Sequence, residues 1–350
     1  MNGSSFGKAY NITTFGESHG EAIGVIIQGC PPGMILTEQI IQKELDERKP
    51  GFGRISSDRK EPDRAIILSG IFNNMTTGTP ITIIIENRDS DSTAYQKNKN
   101  IFRPGHGDIT YWAKYGIRDH RGGGRASARE TAARVAAGAV ALNILNEYDI
   151  NIDTYTIELG GIKVKTIDRE FTRTNYLKCP DRNALKSMER EIEHIRQQGD
   201  SIGGVVEICA ANVPAGLGDP VFDKLDADIA KALMGIGAVK AVEIGAGCNA
   251  ARLKGSENND QITDKGFLTN NSGGILAGIS NGDKIIVRVS IKPIPSIKIP
   301  MKTIDDKGRP LEIITGGRHD ISAIPRINAV CKAMMAITIT DHLLRQEINK

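Results

Sequence analysis

Three of the six histidines lie in glycine-flanked segments: His19 in Gly16-Glu-Ser-His-Gly20, His106 in Arg103-Pro-Gly-His-Gly-Asp108 and His319 in Gly317-Arg-His-Asp320. Imidazole titrates near neutral pH, so each is a candidate general acid. Arginines are dense in and near the glycine-rich stretches, at Arg48, Arg54, Arg59, Arg64, Arg103, Arg118, Arg121, Arg125 and Arg129. A guanidinium fork meets carboxylate or phosphate at two points, so this clustering suits a small ligand with several negative charges. Nucleic acid fits less well: 45 basic against 42 acidic residues leave a formal charge of only +3, and 5% aromatic content offers few stacking platforms.

The segment Asp119-His-Arg-Gly-Gly-Gly-Arg-Ala-Ser127-Ala-Arg129-Glu130 leads into an apolar run. Ser127 and Glu130 have capping-box spacing, which predicts a helix start near Ser127 and an anion site at its free N–H groups. A glycine-rich turn with solvated arginines is the plainer alternative. Gly16-Glu-Ser18-His-Gly20 also fits the nucleophile elbow of serine hydrolases, although that elbow normally follows several strands and here only about fifteen residues precede it. Gly3-Ser-Ser-Phe-Gly7-Lys8 is one residue short of a phosphate loop, and Gly235-x-Gly237-x-x-Lys240 lacks the third glycine of a dinucleotide fingerprint. A metal site from His19, His106, Asp108, His319 and Asp320 is a further rival, but no pair has helical zinc spacing and no metal is expected.

Elements of both periods must position these residues. Strands are predicted over Ala22–Gln28, Ala65–Leu68, Ile81–Glu86, Val205–Ile208 and Lys284–Val289. One-sided surface helices are predicted through Leu185, Met188, Ile192 and Ile195, and through Phe222, Leu225, Ile229 and Leu233. Ala128–Glu147 and Arg326–Leu344 are apolar on most faces, as in helices covered all round. The five cysteines are widely spaced without a C-x-x-C pair and read as reduced thiols. No stretch approaches the ~18 apolar residues of a membrane span, so a cytoplasmic protein is expected.

The halves echo each other. Ser18-His-Gly, a β-branched run, Pro-x-Gly and a helix recur from Ser201; Leu68-Ser-Gly-Ile recurs as Leu276-Ala-Gly-Ile; Gly123-Gly-Arg125 recurs as Gly316-Gly-Arg318. The reading is one domain over 1–350, with pseudo-repeats at about 1–150 and 200–350 joined by a helical segment at 181–199.

Together, Gly16-Glu-Ser-His-Gly20, Arg103-Pro-Gly-His106, the Tyr115–Ala132 stretch and Gly317-Arg-His-Asp320 resemble chorismate synthase. So do Asp200-Ser-Ile-Gly-Gly-Val-Val-Glu207, Gly216-Leu-Gly-Asp-Pro-Val-Phe-Asp-Lys-Leu-Asp226 and Lys292-Pro-Ile-Pro-Ser296, in family order over nearly all the chain. The resemblance implies an α+β fold, a β-α-β sandwich with central helices between two antiparallel sheets. It implies a lyase that turns 5-enolpyruvylshikimate 3-phosphate into chorismate and phosphate by 1,4-anti elimination, requiring reduced FMN without net redox change. A homotetramer is implied as well, with an association with NADP; some members of that family carry their own flavin reductase activity, and the compactness of this chain favours the form that depends on an external flavin reductant.

Carried over by position, His19 would protonate the departing phosphate, His106 would stabilise the anionic reduced flavin, and Asp320 would help flavin N5 accept the substrate proton. Arg48, Arg54, Arg103 and Arg129 would bind substrate anions. Arg125, Ala126, Ser127, Gly237, Ala238, Ala277, Lys292, Pro293, Ile294, Pro295, Ser296 and Arg318 would line FMN. Gly237-Ala238 stands where many relatives have Asn-Ala, Ala277 replaces a glycine, and Ser296 replaces a frequent threonine. A serine hydrolase acting through Ser18 and a non-catalytic flavin or anion binder remain rival readings.

Overall fold

Strict alternation of branched apolar residues builds the first sheet of the computed structural model, which describes residues 3–49, 55, 61–88, 96, 98–315 and 320–348. Its strands are β1 (Ser5–Phe6), β2 (Asn11–Gly16), β3 (Ala22–Gln28), β4 (Ala65–Ser69) and β5 (Ile81–Glu86), antiparallel in the order β1-β2-β3-β5-β4. Ile23, Val25 and Ile27 stand opposite Ile85, Ile83 and Ile81, and all six are buried on one face. The second sheet contains β6 (Asn151–Leu159), β7 (Ile162–Lys163), β8 (Gly204–Ala211), β9 (Val239–Ile244) and β10 (Ile285–Ile291), antiparallel in the order β9-β10-β8-β6-β7. Val206, Ile208 and Ala210 pair with Val289, Val287 and Ile285 to make its inner face.

Between the sheets run α3 (Thr131–Asn146) and α6 (Ile324–Ile348), packed on each other, α3 against β3 and β5 and α6 against β6 and β8. Both are buried around most of their circumference, as their all-round apolar sequence requires. Their approach needs glycine at 138, where a Cβ would stand 2.3 Å from Ala333 Cβ. Around them lie α1 (Glu38–Arg48), against both central helices, α2 (Asp108–Tyr115), α4 (Arg182–Gln198) and α5 (Leu225–Met234), the last against α6 and β9. The architecture is the expected α+β sandwich of central helices between two antiparallel sheets.

The order β3-α1-β4-β5-α3 recurs as β8-α5-β9-β10-α6, and in each sheet the third of these strands lies between the other two. Helix α4 falls between the two series in the chain.

Two local expectations are corrected. Phe222 is not on the buried face of α5, which begins at Leu225; it precedes the helix and is 91% exposed. The α-helix expected from Ser127 begins at Thr131, after a 3-10 turn over Ala128–Glu130. Ser127 caps that turn by accepting from the Arg129 N–H, while Glu130 makes no reciprocal bond and instead accepts from Thr14 and Arg134. The stronger pull of a guanidinium and a hydroxyl accounts for the half-formed box. Among the described residues no helix is long and apolar enough to cross a membrane. Cys30, Cys179, Cys209 and Cys331 are buried free thiols, and Cys248 is exposed.

Candidate active site

Gly16-Glu-Ser-His-Gly20 forms the turn between the antiparallel strands β2 and β3. This removes the serine hydrolase reading, because a nucleophile elbow joins a strand to a helix. The Gly20 N–H donates to the Glu17 carbonyl at 3.1 Å, and Asn87, just past β5, donates its amide to the carbonyls of Glu17 and Gly20 at 3.0 and 2.9 Å. His19 Nδ1 lies 3.1 Å from Ser18 Oγ. The imidazole packs against Gly122, where φ is +68° and a Cβ would come within 2.0 Å of His19 Cε1. Only glycine lets the loop lie on that ring.

The loop that follows does not hold a row of free N–H groups for an anion. The Glu17 carboxylate lies against Gly124, where a Cβ would be 2.6 Å from Oε2, while Ala126 and Ser127 donate to the carbonyls of Gly123 and Gly124, and Arg129 donates to Ser127 Oγ. The chain's own carboxylate at Glu17 takes part of the place expected for a ligand phosphate. Burial raises the Glu17 carboxyl above its ordinary value, and the charge of Arg125 only partly opposes this. Arg125 turns its guanidinium to Gly16 O at 3.1 Å and Thr14 Oγ1 at 2.6 Å.

Three of the four arginines expected to bind substrate are described, and each is paired to a buried carboxylate; Arg54 lies outside the described residues. Arg48, the last residue of α1, donates to Asp63 Oδ2 at 2.8 Å, while Arg129 donates to Asp63 Oδ1. Arg129 also bonds Asn87 Oδ1 at 2.7 Å and the Glu86 carbonyl at 3.0 Å, with Glu61 at 3.9 Å. Burial alone would raise the fully enclosed Asp63 carboxyl, but the two guanidinium groups outweigh it and hold it below the usual range. Arg103 grips Asp108 through Nε and Nη2 at 2.8 and 2.9 Å, with Arg118 at 3.3 Å from the same carboxylate.

Asp63, Asn87 and Glu17 organise these groups, and the sequence reading assigned none of them a role. No spacing signal marks Asp63, whose partners come from distant segments. Glu17 lay inside a motif already singled out, and only its contacts were missing.

Across the site the segment 292–296 meets the segment 103–106. His106 Nε2 lies 2.9 Å from Ser296 Oγ and Nδ1 lies 3.0 Å from the Pro104 carbonyl. Lys292 Nζ donates to the Gly105 carbonyl at 2.9 Å, and Pro295 sits where a Cβ on Gly105 would come within 2.7 Å. The Lys292 N–H donates to Ala238 O at 2.9 Å, and the Ile294 carbonyl accepts from Ser201 at 2.6 Å. Burial, and then the charge of Arg103, depresses His106 to about 4.

Expected residues from distant stretches therefore meet: Gly122 packs on His19, Gly123 lies beside Arg103 (a Cβ there would be 3.7 Å from Nη2), His106 bonds Ser296, and Ala238 bonds Lys292. Ala277 lies in the separate hairpin of Ile275–Leu276 and Ile279–Ser280, whose neighbouring Gly278 accepts from Leu225 at 2.9 Å. Asp320 is bonded to Arg326 at 2.9 and 3.0 Å. Arg318 and His319 lie outside the described residues. Among the described residues no group of three or more His, Cys, Asp or Glu side chains is arranged to hold a metal ion.

A family model described as chorismate synthase matches residues 10–344. A chorismate synthase of Desulfosudis oleivorans is 60% identical over 348 residues, covering 99% of this chain and 98% of that protein. One of Desulfatibacillum aliphaticivorans is 58% identical, covering 99% and 97%. Among solved structures, a chorismate synthase crystal structure matches with a TM-score of 0.78 and 34% identity over 97% of this chain and 93% of that one.

Proposed function

Because the chain belongs to the chorismate synthase family, we propose that it converts 5-enolpyruvylshikimate 3-phosphate to chorismate and phosphate by 1,4-anti elimination, with reduced FMN and no net redox change. The observation that carries this reading is the pairing of His19 and Arg103 against adjacent glycines, Gly122 and Gly123, of one loop. A phosphate lying between them is held by a guanidinium and within reach of a general acid.

Position supports Arg103 as the anion holder among the described arginines, since its Nη2 lies beside Gly123, next to the glycine on which His19 packs. Arg103 and Arg118 share the carboxylate of Asp108, and Asp306 acts on Arg118 as a second negative charge. Arg48 and Arg129 face Asp63, with Glu61 near Arg129, so their charge is balanced. In this reading Arg48 and Arg129 hold the substrate pocket in shape and offer it their remaining N–H groups, with Arg54 completing the set.

The described residues fit a flavin mononucleotide. Lys292 supplies an ammonium, Pro293 to Pro295 an apolar run, and Ser296 a hydroxyl, while Gly237 leaves open space with no atom within 4 Å of a built Cβ. We assign its binding to 125–127, Gly237, Ala238, Ala277, 292–296 and Arg318. When bound, reduced FMN supplies electron density as the carbon–oxygen bond to phosphate breaks and regains it as the ring hydrogen leaves. His19 gives the proton that the departing phosphate needs, His106 compensates charge beside the cofactor, and Asp320 helps carry away the substrate proton. The reading also takes the enzyme as a cytoplasmic homotetramer supplied with reduced flavin by a separate reductant.

Anaerobic incubation of 5-enolpyruvylshikimate 3-phosphate with the protein and chemically reduced FMN tests it, with phosphate release and chorismate absorbance as readouts. Product under reduced but not oxidised FMN is expected. Tight binding of both ligands without phosphate release would overturn the reading in favour of a non-catalytic binder.

A further inference from the structure

His106 and Ser296 are 190 residues apart and share a hydrogen bond of 2.9 Å, so each ring nitrogen of His106 has one defined partner. The Pro104 carbonyl at Nδ1 can only accept, so Nδ1 carries the proton of the neutral ring. Nε2 is then a lone pair, and the Ser296 hydroxyl donates to it. The surroundings favour this neutral state: burial and the charges of Arg103 and Lys292 oppose protonation, against the Pro104 carbonyl and Asp108, which favour it. The hydroxyl is itself held in place. The backbone on its N-terminal side is tied at Lys292 to Ala238, at Ile294 to Ser201 and by the Lys292 side chain to Gly105.

We infer that Ser296 is the positioning residue for His106, its hydroxyl fixing the orientation and tautomer of the neutral imidazole with Nε2 as an acceptor in the ligand-free site. His106 can donate through Nε2 only after it has taken a proton from solvent and the Ser296 hydroxyl has turned from donor to acceptor. The inference rests on the proposed reading only for the part His106 plays in the reaction. The hydrogen bond and its effect on the ring are properties of the protein without flavin.

The test is a titration of the flavin-free protein labelled with 15N-histidine, followed by NMR. In the wild type the His106 signals are expected to report the Nδ1–H tautomer at neutral pH, with Nε2 hydrogen-bonded and protonation well below the ordinary imidazole value. Ser296→Ala removes the donor to Nε2, so the Nε2 signal should lose its hydrogen-bond shift and the Nδ1–H tautomer should lose population to the Nε2–H form. Ser296→Thr keeps a hydroxyl and should restore both. An unchanged tautomer and Nε2 shift in Ser296→Ala, or an Nε2–H tautomer in the wild type, would overturn the inference. Because no flavin or substrate is present, that failure is distinct from absence of turnover, which would count against the lyase reading alone.

Discussion

Arg48 and Arg129 meet on opposite oxygens of a single buried carboxylate, that of Asp63. The bridge ties the end of α1 to the turn before α3. Removing Asp63 would leave two buried guanidinium groups facing each other, with only Glu61, 3.9 Å from Arg129, as counter-charge. Breaking a buried pair in this way costs about 3–5 kcal/mol. Asp63→Ala should therefore lower the unfolding free energy by about that much in urea titration; a change below about 0.5 kcal/mol would show that the bridge contributes little.

The same carboxylate sets part of the acid limit. Its acidity is raised in the fold, so its contribution is complete above the unfolded aspartate value of about 3.9 and is lost as pH falls from there through the lower folded value. Asp63→Asn should flatten the fall in stability below about pH 4 relative to the wild type, measured by urea midpoints along a pH series. Parallel curves would rule out Asp63 as a source of the acid sensitivity.

His106 acts over a higher pH window. Its folded value near 4 lies below the ordinary imidazole value of 6.5, so the fold favours the neutral ring. The stabilisation is present above 6.5 and is lost as pH falls from 6.5 towards 4, where the unfolded chain binds the extra proton. His106→Ala should lose less stability than the wild type between these two values. It should also lower turnover by roughly 10²-fold or more, the scale of a lost proton-transfer group. Near-wild-type turnover would remove His106 from its assigned role.

Much of this architecture was legible in the residues. The alternation in Ala22–Gln28 and Ile81–Glu86 gave both strands with their observed bounds, because one face of each is wholly buried and a shift of one residue would turn every isoleucine outward. The all-round apolar character of α3 and α6 identified the middle layer. Phe222 misled because it continues the spacing of Leu225, Ile229 and Leu233 although the chain ahead of Leu225 is not helical. The capping-box spacing could not reveal that Glu130 has Thr14 and Arg134 within reach.

The site was legible in part. Glycine flanks singled out His19 and His106, and the helix entry drew attention to Arg125 and Ser127. Asp63 carries no local signal in Pro62-Asp63-Arg64, since its importance lies in partners brought together only by folding. The 292–296 segment came from family resemblance alone, and its contact with His106 is a long-range property of the fold.

At Gly122 there is no room for a Cβ, and the backbone is left-handed. Gly122→Ala should push His19 from its place and lower turnover by about 10²-fold, the scale of a misplacement of about 1 Å. The strained backbone itself should cost only about 1–3 kcal/mol in urea unfolding. Full activity in a folded variant would show that the His19 position tolerates change.

The contact of Gly138 with Ala333 makes a packing test away from the site. Gly138→Ala should destabilise by about 1–3 kcal/mol through overpacking. Adding Ala333→Gly should recover part of that loss, so the double variant should be more stable than the sum of the single changes implies. Strict additivity in denaturant unfolding would argue against the close helix approach.

The central claim is that reduced FMN is required but not consumed. It is tested most directly by following chorismate and the flavin spectrum together, under strict anaerobiosis, with substrate in large excess over reduced FMN. Many equivalents of chorismate per flavin, with the flavin still reduced at the end, are expected. Product that stops at one equivalent as the flavin oxidises, or product formed equally well with oxidised FMN, would contradict it.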